Sequence, residues 1–463
     1  MNWTIQQLVN ATNGELIECD ENLTFDSVST DSRTLLKGAL YIAIKGDVFD
    51  GHQFIEQAFA NGAVAGLVSN TQSRTKQLIN VADTRIALGK FASWHRQQMS
   101  LKSLVAITGS NGKTTCKNML QHLLVCLYSE NVVLATQGNL NNDFGVPRTL
   151  LAIQKNHDYA VIEMGANHPG EIDYVSQLAK PDVALITVAA AAHLEGFGSL
   201  DGVINTKAEI MNGLEKGATI VLNTDSAGFD VWQNIAVKKS LKVISFGCAT
   251  QADVRLIGFT QTQIDLNFEF EYQTKRYQAK LPMLGKHNVL NSLACIATCL
   301  AMGVVNTQQI NKLLPPLGTF YAVNGRLKPF SLPKGTLLDD SYNANPDSMK
   351  AAIDTLTALP APNLFCMGEM VEIGGDSANQ HSLIAQYAKQ AGVSYFFCCG
   401  EQTKSLPVAF GTGAVWFETK QALADKAIEL IKTQQVNNCL VKGSRSAKME
   451  EVVTQILKGV ESC

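Results

Sequence analysis

The chain has 463 residues, 46% apolar and 17% charged, enough for about three domain-sized cores. A formal net charge of −3 with no Lys/Arg block argues against nucleic acid or an anionic membrane as partner. Its most apolar stretch, 183–192, is far too short to span a membrane, and the first residues, MNWTIQQLVN, show no basic stretch leading into an apolar core. With eleven scattered cysteines and no C-x-x-C pair, these features predict a cytoplasmic protein with reduced, buried thiols.

In chain order, residues 1–83 read as a small α/β unit. A helix over 5–12 is followed by the loop Val28-Ser-Thr-Asp-Ser-Arg33, a strand over 39–44 and Asp50-Gly-His52. A helix over 53–61 and a strand over 64–68 complete it. The unit is too short for a complete nucleotide fold.

Residues 84–318 open with a helix over 86–99 and then VAITGSNGKTT, Val105–Thr115. An apolar strand enters a glycine turn and a helix starts at Lys-Thr-Thr. Backbone N–H groups around Gly109 and Gly112 suit phosphate oxygens, Lys113 suits the β- and γ-phosphates, and the Thr114 hydroxyl suits Mg²⁺. The more common loop, G-x-x-x-x-G-K-[ST], would need glycine at Ile107, so this is a shorter T-G-x-x-G-K-T form. Strands predicted over 132–135, 159–164, 183–188, 219–222 and 243–245 imply a mainly parallel sheet. LNFEFEYQ at 266–273 alternates with period two and predicts an antiparallel extension, closed by a helix over 287–302.

Polar residues recur at the ends of these strands. GNLNNDFGVPRTL (138–150) forms an asparagine-rich loop able to hold a carbonyl, a phosphate or an acetamido group. Glu163 ends an apolar strand, where open α/β sheets bind ligands and a carboxylate suits Mg²⁺. His193 and Lys207 follow the next strand. Each signal is weak alone, and a lone His or Lys after a strand is more often structural or solvated.

Residues 319–463 predict a Rossmann-like doubly wound domain. Its strands fall over 335–339, 363–367, 395–399 and 439–442, between helices over 348–359, 381–391 and 420–434.

The order of these motifs resembles the Mur ligase family of ATP-dependent amide ligases. It comprises T-G-x-x-G-K-T, G-N-x-N-N, E-M-G, A-H-L-E-G-F-G-S, the Lys207 segment, Gly285-Lys-His-Asn288 with Asn291, and Asn324-Gly-Arg326. Asp339-Asp-Ser-Tyr-Asn-Ala-Asn-Pro-Asp-Ser348, Gly368-Glu-Met370 with Glu372, and Val441-Lys-Gly-Ser-Arg-Ser446 complete the series over essentially the whole chain. Val188 and Ala322 depart from the family pattern.

The resemblance implies an α/β fold of three domains: a UDP-sugar-binding domain, a central P-loop ATPase domain and a C-terminal Rossmann-like domain. It implies joining of D-alanyl-D-alanine to UDP-N-acetylmuramoyl-tripeptide through an acyl phosphate; a monomer is the default expectation. It assigns Gly109, Ser110, Asn111, Gly112, Lys113, Thr114, Thr115, Asn288, Asn291, Arg326, Asp340 and Tyr342 to ATP. Lys113, Glu163, His193 and Lys207 become the catalytic set. Two Mg²⁺ sites follow, with Thr114, Glu163, His193 and Lys207 as metal residues, the lysine acting as a carbamate made with CO₂. Ser29, Thr30, Asp31, Ser32, Arg33, Gly46, His52, Thr136, Asn139 and Asn142 are assigned to the UDP-sugar, and Asn343 and Asn345, with Glu369 and Glu372, to the dipeptide. Hinges are expected at 83–86 and 315–325. Competing readings are a folylpolyglutamate synthetase-type ligase and a non-catalytic ATP-sensing module.

Overall fold

Short β-branched runs alternating with amphipathic helices fold here as three open sheets in chain order. The computed structural model describes residues 2–46, 49–69, 75–190, 194–371, 374 and 376–461.

The first unit has a five-stranded sheet in the order Glu15–Ile17, Leu78–Asn80, Ala65–Val68, Leu40–Ile42, Val28–Ser29. The helix Ile5–Thr12 sits where the sequence predicts it, capped by Thr4, whose hydroxyl accepts from Gln7 N. Two short strands, Trp3–Thr4 and Thr24–Phe25, also pair here, a feature too short to leave a periodic signal.

The central sheet has nine strands. Val133–Ala135, Tyr159–Glu163, Ser103–Thr108, Val183–Ile186, Thr219–Asn223 and Lys242–Gly247 lie parallel in that spatial order. Val254–Gln261, Leu266–Tyr272 and Lys275–Leu281 extend it as the predicted antiparallel ribbon. Chain order reverses direction around Ser103–Thr108, so the carboxyl ends of this strand and its two neighbours form the switch-point crevice. Both faces are covered, which explains why strands such as Ser103–Thr108 are buried throughout.

The third sheet runs Lys328–Ser331, Thr336–Asp340, Asn438–Lys442, Asn363–Met367, Tyr395–Cys399, Ala414–Phe417. All pairs are parallel except the first, an antiparallel edge hairpin the sequence reading lacks.

Packing corrects the expected connections. Residues 83–86 are the first turn of the helix Thr84–Gln97, with Asp83 accepting from Arg85 N and Ile86 N. Buried Thr84 donates to Ala43 O at 2.8 Å. That helix shares one core with Trp3, Ile5, Leu8 and the central sheet, so the expected hinge is an anchored joint. Around 315–325, Leu317, Phe320 and Ala322 still belong to the central core, whereas Leu327 packs with the third sheet. The core therefore changes hands after Ala322, later than the expected 318/319 boundary, and the exposed Tyr321 marks the less anchored part.

Candidate active site

The carboxyl ends of the central and third sheets face one another across a cleft of about 760 Å³. The phosphate loop forms its floor. Gly109 at φ +145° and Gly112 at φ +83° take backbone conformations that favour glycine. A Cβ on Gly109 would collide with Thr187 Oγ1, and one on Gly112 would stand 2.6 Å from Asn291 Oδ1. Thr187 Oγ1 donates to Asn111 O at 2.6 Å and Ser110 Oγ to Ala190 O at 3.1 Å, which ties the loop to the neighbouring strand. The helix Lys113–Leu127 then points its N-terminus into the cleft. Lys113 Nζ folds back to donate to Gly109 O at 2.7 Å, and burial pushes its amine below the usual lysine range.

Glu163 is the last residue of its strand and only 2% exposed. Its Oε1 accepts from Thr114 Oγ1 at 3.2 Å and from Asn141 Nδ2 at 2.9 Å, while its Oε2 is buried without a hydrogen-bond partner among the described residues. An orphaned carboxylate oxygen beside a phosphate loop and a threonine hydroxyl fits a hard divalent cation, with nucleotide oxygens completing the shell. No group of three or more His, Cys, Asp or Glu gathers among the described residues.

Lys207 lies on the helix Leu200–Ala208, 2% exposed, its Nζ 4.9 Å from the Phe197 ring centroid. Burial, and next the nearby Lys113 charge, push its pKa down from 10.5 to about 7. An amine in that range is available as a nucleophile at neutral pH.

From the third domain come Arg326, Asp340, Tyr342, Asn343 and Asn345. Arg326 lies over the Tyr342 ring at 4.1 Å and reaches Thr114 Oγ1 at 3.4 Å. Asp340 and Lys442 stand in register at the carboxyl ends of adjacent strands and pair at 2.6 Å. Asn345 caps the helix Pro346–Thr357 through its Oδ1, and its Nδ2 donates to Asn111 Oδ1 at 2.8 Å, joining the two domains. Asn343 Oδ1 accepts from Ala344 N.

Of the residues expected at ATP, all from Gly109 to Thr115 line this cleft, as do Asn288, Asn291, Arg326, Asp340 and Tyr342. Asn288 is largely occupied within its helix: its Nδ2 donates to Leu284 O and its Oδ1 accepts from Asn291. Asn139 and Asn142 also line the cleft.

Other expectations separate from it. Thr136 is 1% exposed and its hydroxyl accepts from Glu163 N at 2.9 Å, so it supports the strand end instead of facing a ligand. Ser29, Thr30, Asp31, Ser32, Arg33, Gly46 and His52 are absent from the cleft lining. The Arg33 guanidinium donates twice to Asp31, at 2.9 and 2.8 Å, and Ser32 Oγ donates to Gln57 Oε1. The His52 ring is bound on both sides: Nδ1 meets Asp50 at 2.6 Å and Nε2 accepts from Ser69 N at 3.0 Å. Glu369 is also outside the lining and holds Gln402 N. His193 and Glu372 lie outside the described residues.

Among the lining residues, Asn141 and Lys442 received no role of their own from the sequence, and Thr187 none at all. The first two lie inside motifs already noted, GNLNN and VKGSRS, but only the fold shows which member of each reaches a partner.

Comparison with known proteins agrees with this architecture. The Mur ligase family catalytic domain matches residues 24–100, the Mur ligase middle domain 107–299, and the Mur ligase glutamate ligase domain 325–445. The UDP-N-acetylmuramoyl-tripeptide–D-alanyl-D-alanine ligase of Escherichia coli K12 is 41% identical, with 97% of each chain covered. The chain belongs to the Mur ligase family. The ligase of the same name from Haemophilus influenzae is 39% identical over 96% of each chain. MurF from Acinetobacter baumannii superposes with a TM-score of 0.91 at 33% identity, covering 99% of both chains. MurF from Thermotoga maritima, solved with ADP, gives 0.83 at 25% identity, covering 94% of this chain and 98% of that one. A folylpolyglutamate synthase from Mycobacterium tuberculosis shares the fold at 15% identity and TM-score 0.65. A UDP-N-acetylmuramoyl-L-alanyl-D-glutamate–2,6-diaminopimelate ligase also covers 100% of this chain, but at 17% identity and a TM-score of 0.62.

Proposed function

We propose that this chain joins D-alanyl-D-alanine to UDP-N-acetylmuramoyl-tripeptide at the expense of ATP, working in the cytoplasm as a monomer. The observation that carries the chemistry is one cleft holding a phosphate loop, the orphaned Glu163 oxygen and a lysine poised to be neutral.

In the reaction, a carboxylate oxygen of the tripeptide attacks the γ-phosphorus, an O–P bond forms, and the bond to the β,γ-bridging oxygen breaks to release ADP. The dipeptide amine then attacks the acyl carbon, a C–N bond forms, phosphate leaves with the C–O electrons, and the amine gives up a proton. The first step brings two anions together, so cationic and backbone N–H groups must oppose their repulsion. Lys113, Arg326 and the N-terminus of the helix Lys113–Leu127, which line the cleft, would do so. Tyr342 braces Arg326, and the Asn345–Asn111 bond holds the third domain against the loop.

Mg²⁺ would be held by Thr114 and Glu163, with His193 and a Lys207 carbamate serving a second ion; bound there, it supplies charge neutralisation. The carbamate forms when neutral Lys207 Nζ bonds the carbon of CO₂ and loses a proton, which turns a repelling cation into an oxygen donor. Asn343 and Asn345 remain our choice for the dipeptide side. The UDP-sugar is assigned to the surface around Ser29–Arg33 and Gly46 and to Asn139 and Asn142.

The test is phosphate release from the purified protein with ATP, Mg²⁺ and the UDP-tripeptide, with and without D-alanyl-D-alanine. Release that needs the dipeptide, matched by pentapeptide product in mass spectrometry, supports the reading. Release with another amine instead would keep the ligase and replace the acceptor; absence of turnover despite ATP binding would overturn the reading.

A further inference from the structure

The geometry points to Asn141 as a positioning residue that reserves one oxygen of Glu163 for the divalent cation. Glu163 presents two oxygens to the cleft region, and they are treated differently. Oε1 takes two donors, Asn141 Nδ2 at 2.9 Å and Thr114 Oγ1 at 3.2 Å; Oε2, though buried, takes none among the described residues. A buried carboxylate oxygen without a partner carries a desolvation cost unless a ligand arrives, so its orientation needs a support. Thr114 cannot be a dedicated support, because its hydroxyl also receives Arg326 and its residue is the phosphate loop's own cation ligand in the reading above.

Asn141 has no such second duty and is locked in place by its backbone. Its carbonyl accepts from Gly165 N at 2.7 Å, two residues beyond Glu163, and its N–H donates to Asn139 O at 2.8 Å. Gly165 is what lets the amide lie so close: a Cβ there would stand 3.2–3.3 Å from the Asn141 amide atoms. On the other side of the loop, a Cβ on Gly145 would collide with the Leu140 backbone, so the turn carrying Asn141 is seated tightly on its helix. The strand end and the asparagine loop are thus tied to each other by backbone, and the side-chain amide arrives preset at Oε1. The consequence is directional: with Oε1 saturated by N–H and O–H donors, cation binding falls to Oε2 as a single oxygen. Without the amide, the carboxylate is free to rotate and to present either or both oxygens. This inference rests on Glu163 being the cation-facing carboxylate, and the test separates the two ideas.

Mn²⁺ serves as probe, its binding followed by electron paramagnetic resonance with the full chain and ADP present, for wild type, Asn141→Ala, Glu163→Gln and the double variant. Outer-shell partners typically change metal affinity about 10–100-fold, so Asn141→Ala is expected to weaken Mn²⁺ at least tenfold with ADP affinity in EDTA unchanged. Because Asn141 acts through Glu163, the double variant should bind Mn²⁺ no more weakly than Glu163→Gln. Asn141→Asp, of equal size but without the donor, should fail to restore binding. Three results overturn the inference. One is unchanged Mn²⁺ affinity in a folded Asn141→Ala when Glu163→Gln weakens it. Another is full additivity of the two losses. The third is unchanged affinity in Glu163→Gln itself, which would remove the metal assignment of Glu163 as well.

Discussion

Replacing Lys207 by methionine keeps the length of a buried side chain and removes its titration. The folded amine lies near 7 and the unfolded one near 10.5, so the charged form is disfavoured in the fold by on the order of 5 kcal/mol. Between those pH values the unfolded chain holds a proton that the folded chain lacks. Stability contributed by this group therefore climbs with pH across that window and is lost as pH falls towards 7. From pH 7.5 to 8.5 the folded amine is mostly neutral, and the wild-type minus Lys207→Met difference should grow by about 1.2 kcal/mol. The assay is urea unfolding of both proteins in CO₂-free buffer at the two pH values, where other titrating groups cancel in the difference. A difference that stays flat would refute the burial argument. Adding ¹³C-labelled bicarbonate at pH 8 should then give a carbamate carbon signal in wild type that Lys207→Met lacks. For activity, Lys207→Ala should lose turnover and short carboxylic acids should partly restore it; a folded variant with no rescue would count against the carbamate.

Other consequences follow from named contacts. Asp340→Ala leaves the 2%-exposed Lys442 with the Asn343 carbonyl at 2.8 Å as its one hydrogen-bond partner among the described residues, and thermal melting should show a loss of about 3–5 kcal/mol. Replacing both partners by apolar residues of similar size should recover most of it. Lys113→Ala should weaken ADP binding at least tenfold, about 1.4 kcal/mol by calorimetry, with little change in melting. His95 accepts from Trp3 Nε1 at 3.1 Å on Nδ1 and meets Ile153 O at 2.9 Å through Nε2, so it is held neutral. Burial lowers its pKa, so as pH falls through about 6.5 the unfolded histidine gains a proton the folded one refuses. Wild type should lose stability there relative to His95→Gln, and equal acid profiles would refute the assignment.

How much of this was readable without coordinates depends on the range of the interaction. The glycine-loop segment, Val105–Thr115, encodes its own conformation, because an apolar strand, two turn glycines and a helix start are local signals. The period-two run at 266–273 likewise specifies its ribbon. The antiparallel edge Lys328–Ser331 and the Trp3–Thr4 pair escaped because strands of two to four residues have too little periodicity to register. The seam after Ala322 escaped for another reason: it is set by which sheet a side chain packs on, which no local pattern records.

The same division runs through the site. Residue order alone carried the strand-end placement of Glu163, since an apolar strand delivers its last residue to the carboxyl edge of the sheet, whereas Arg326, Asp340 and Tyr342 came only from the resemblance to the Mur ligases. Only the tertiary structure decided that Thr136 turns inward to hold Glu163, and that His52 and Arg33 are spent on Asp50, Ser69 and Asp31. It alone showed that Asn141 occupies one carboxylate oxygen and leaves the other bare, and that Lys207 sits deep enough to shed its proton. Hydrogen-bond satisfaction and desolvation are properties of everything surrounding a group, and the chain supplies those surroundings from segments up to hundreds of residues away, as Asn111 and Asn345 show.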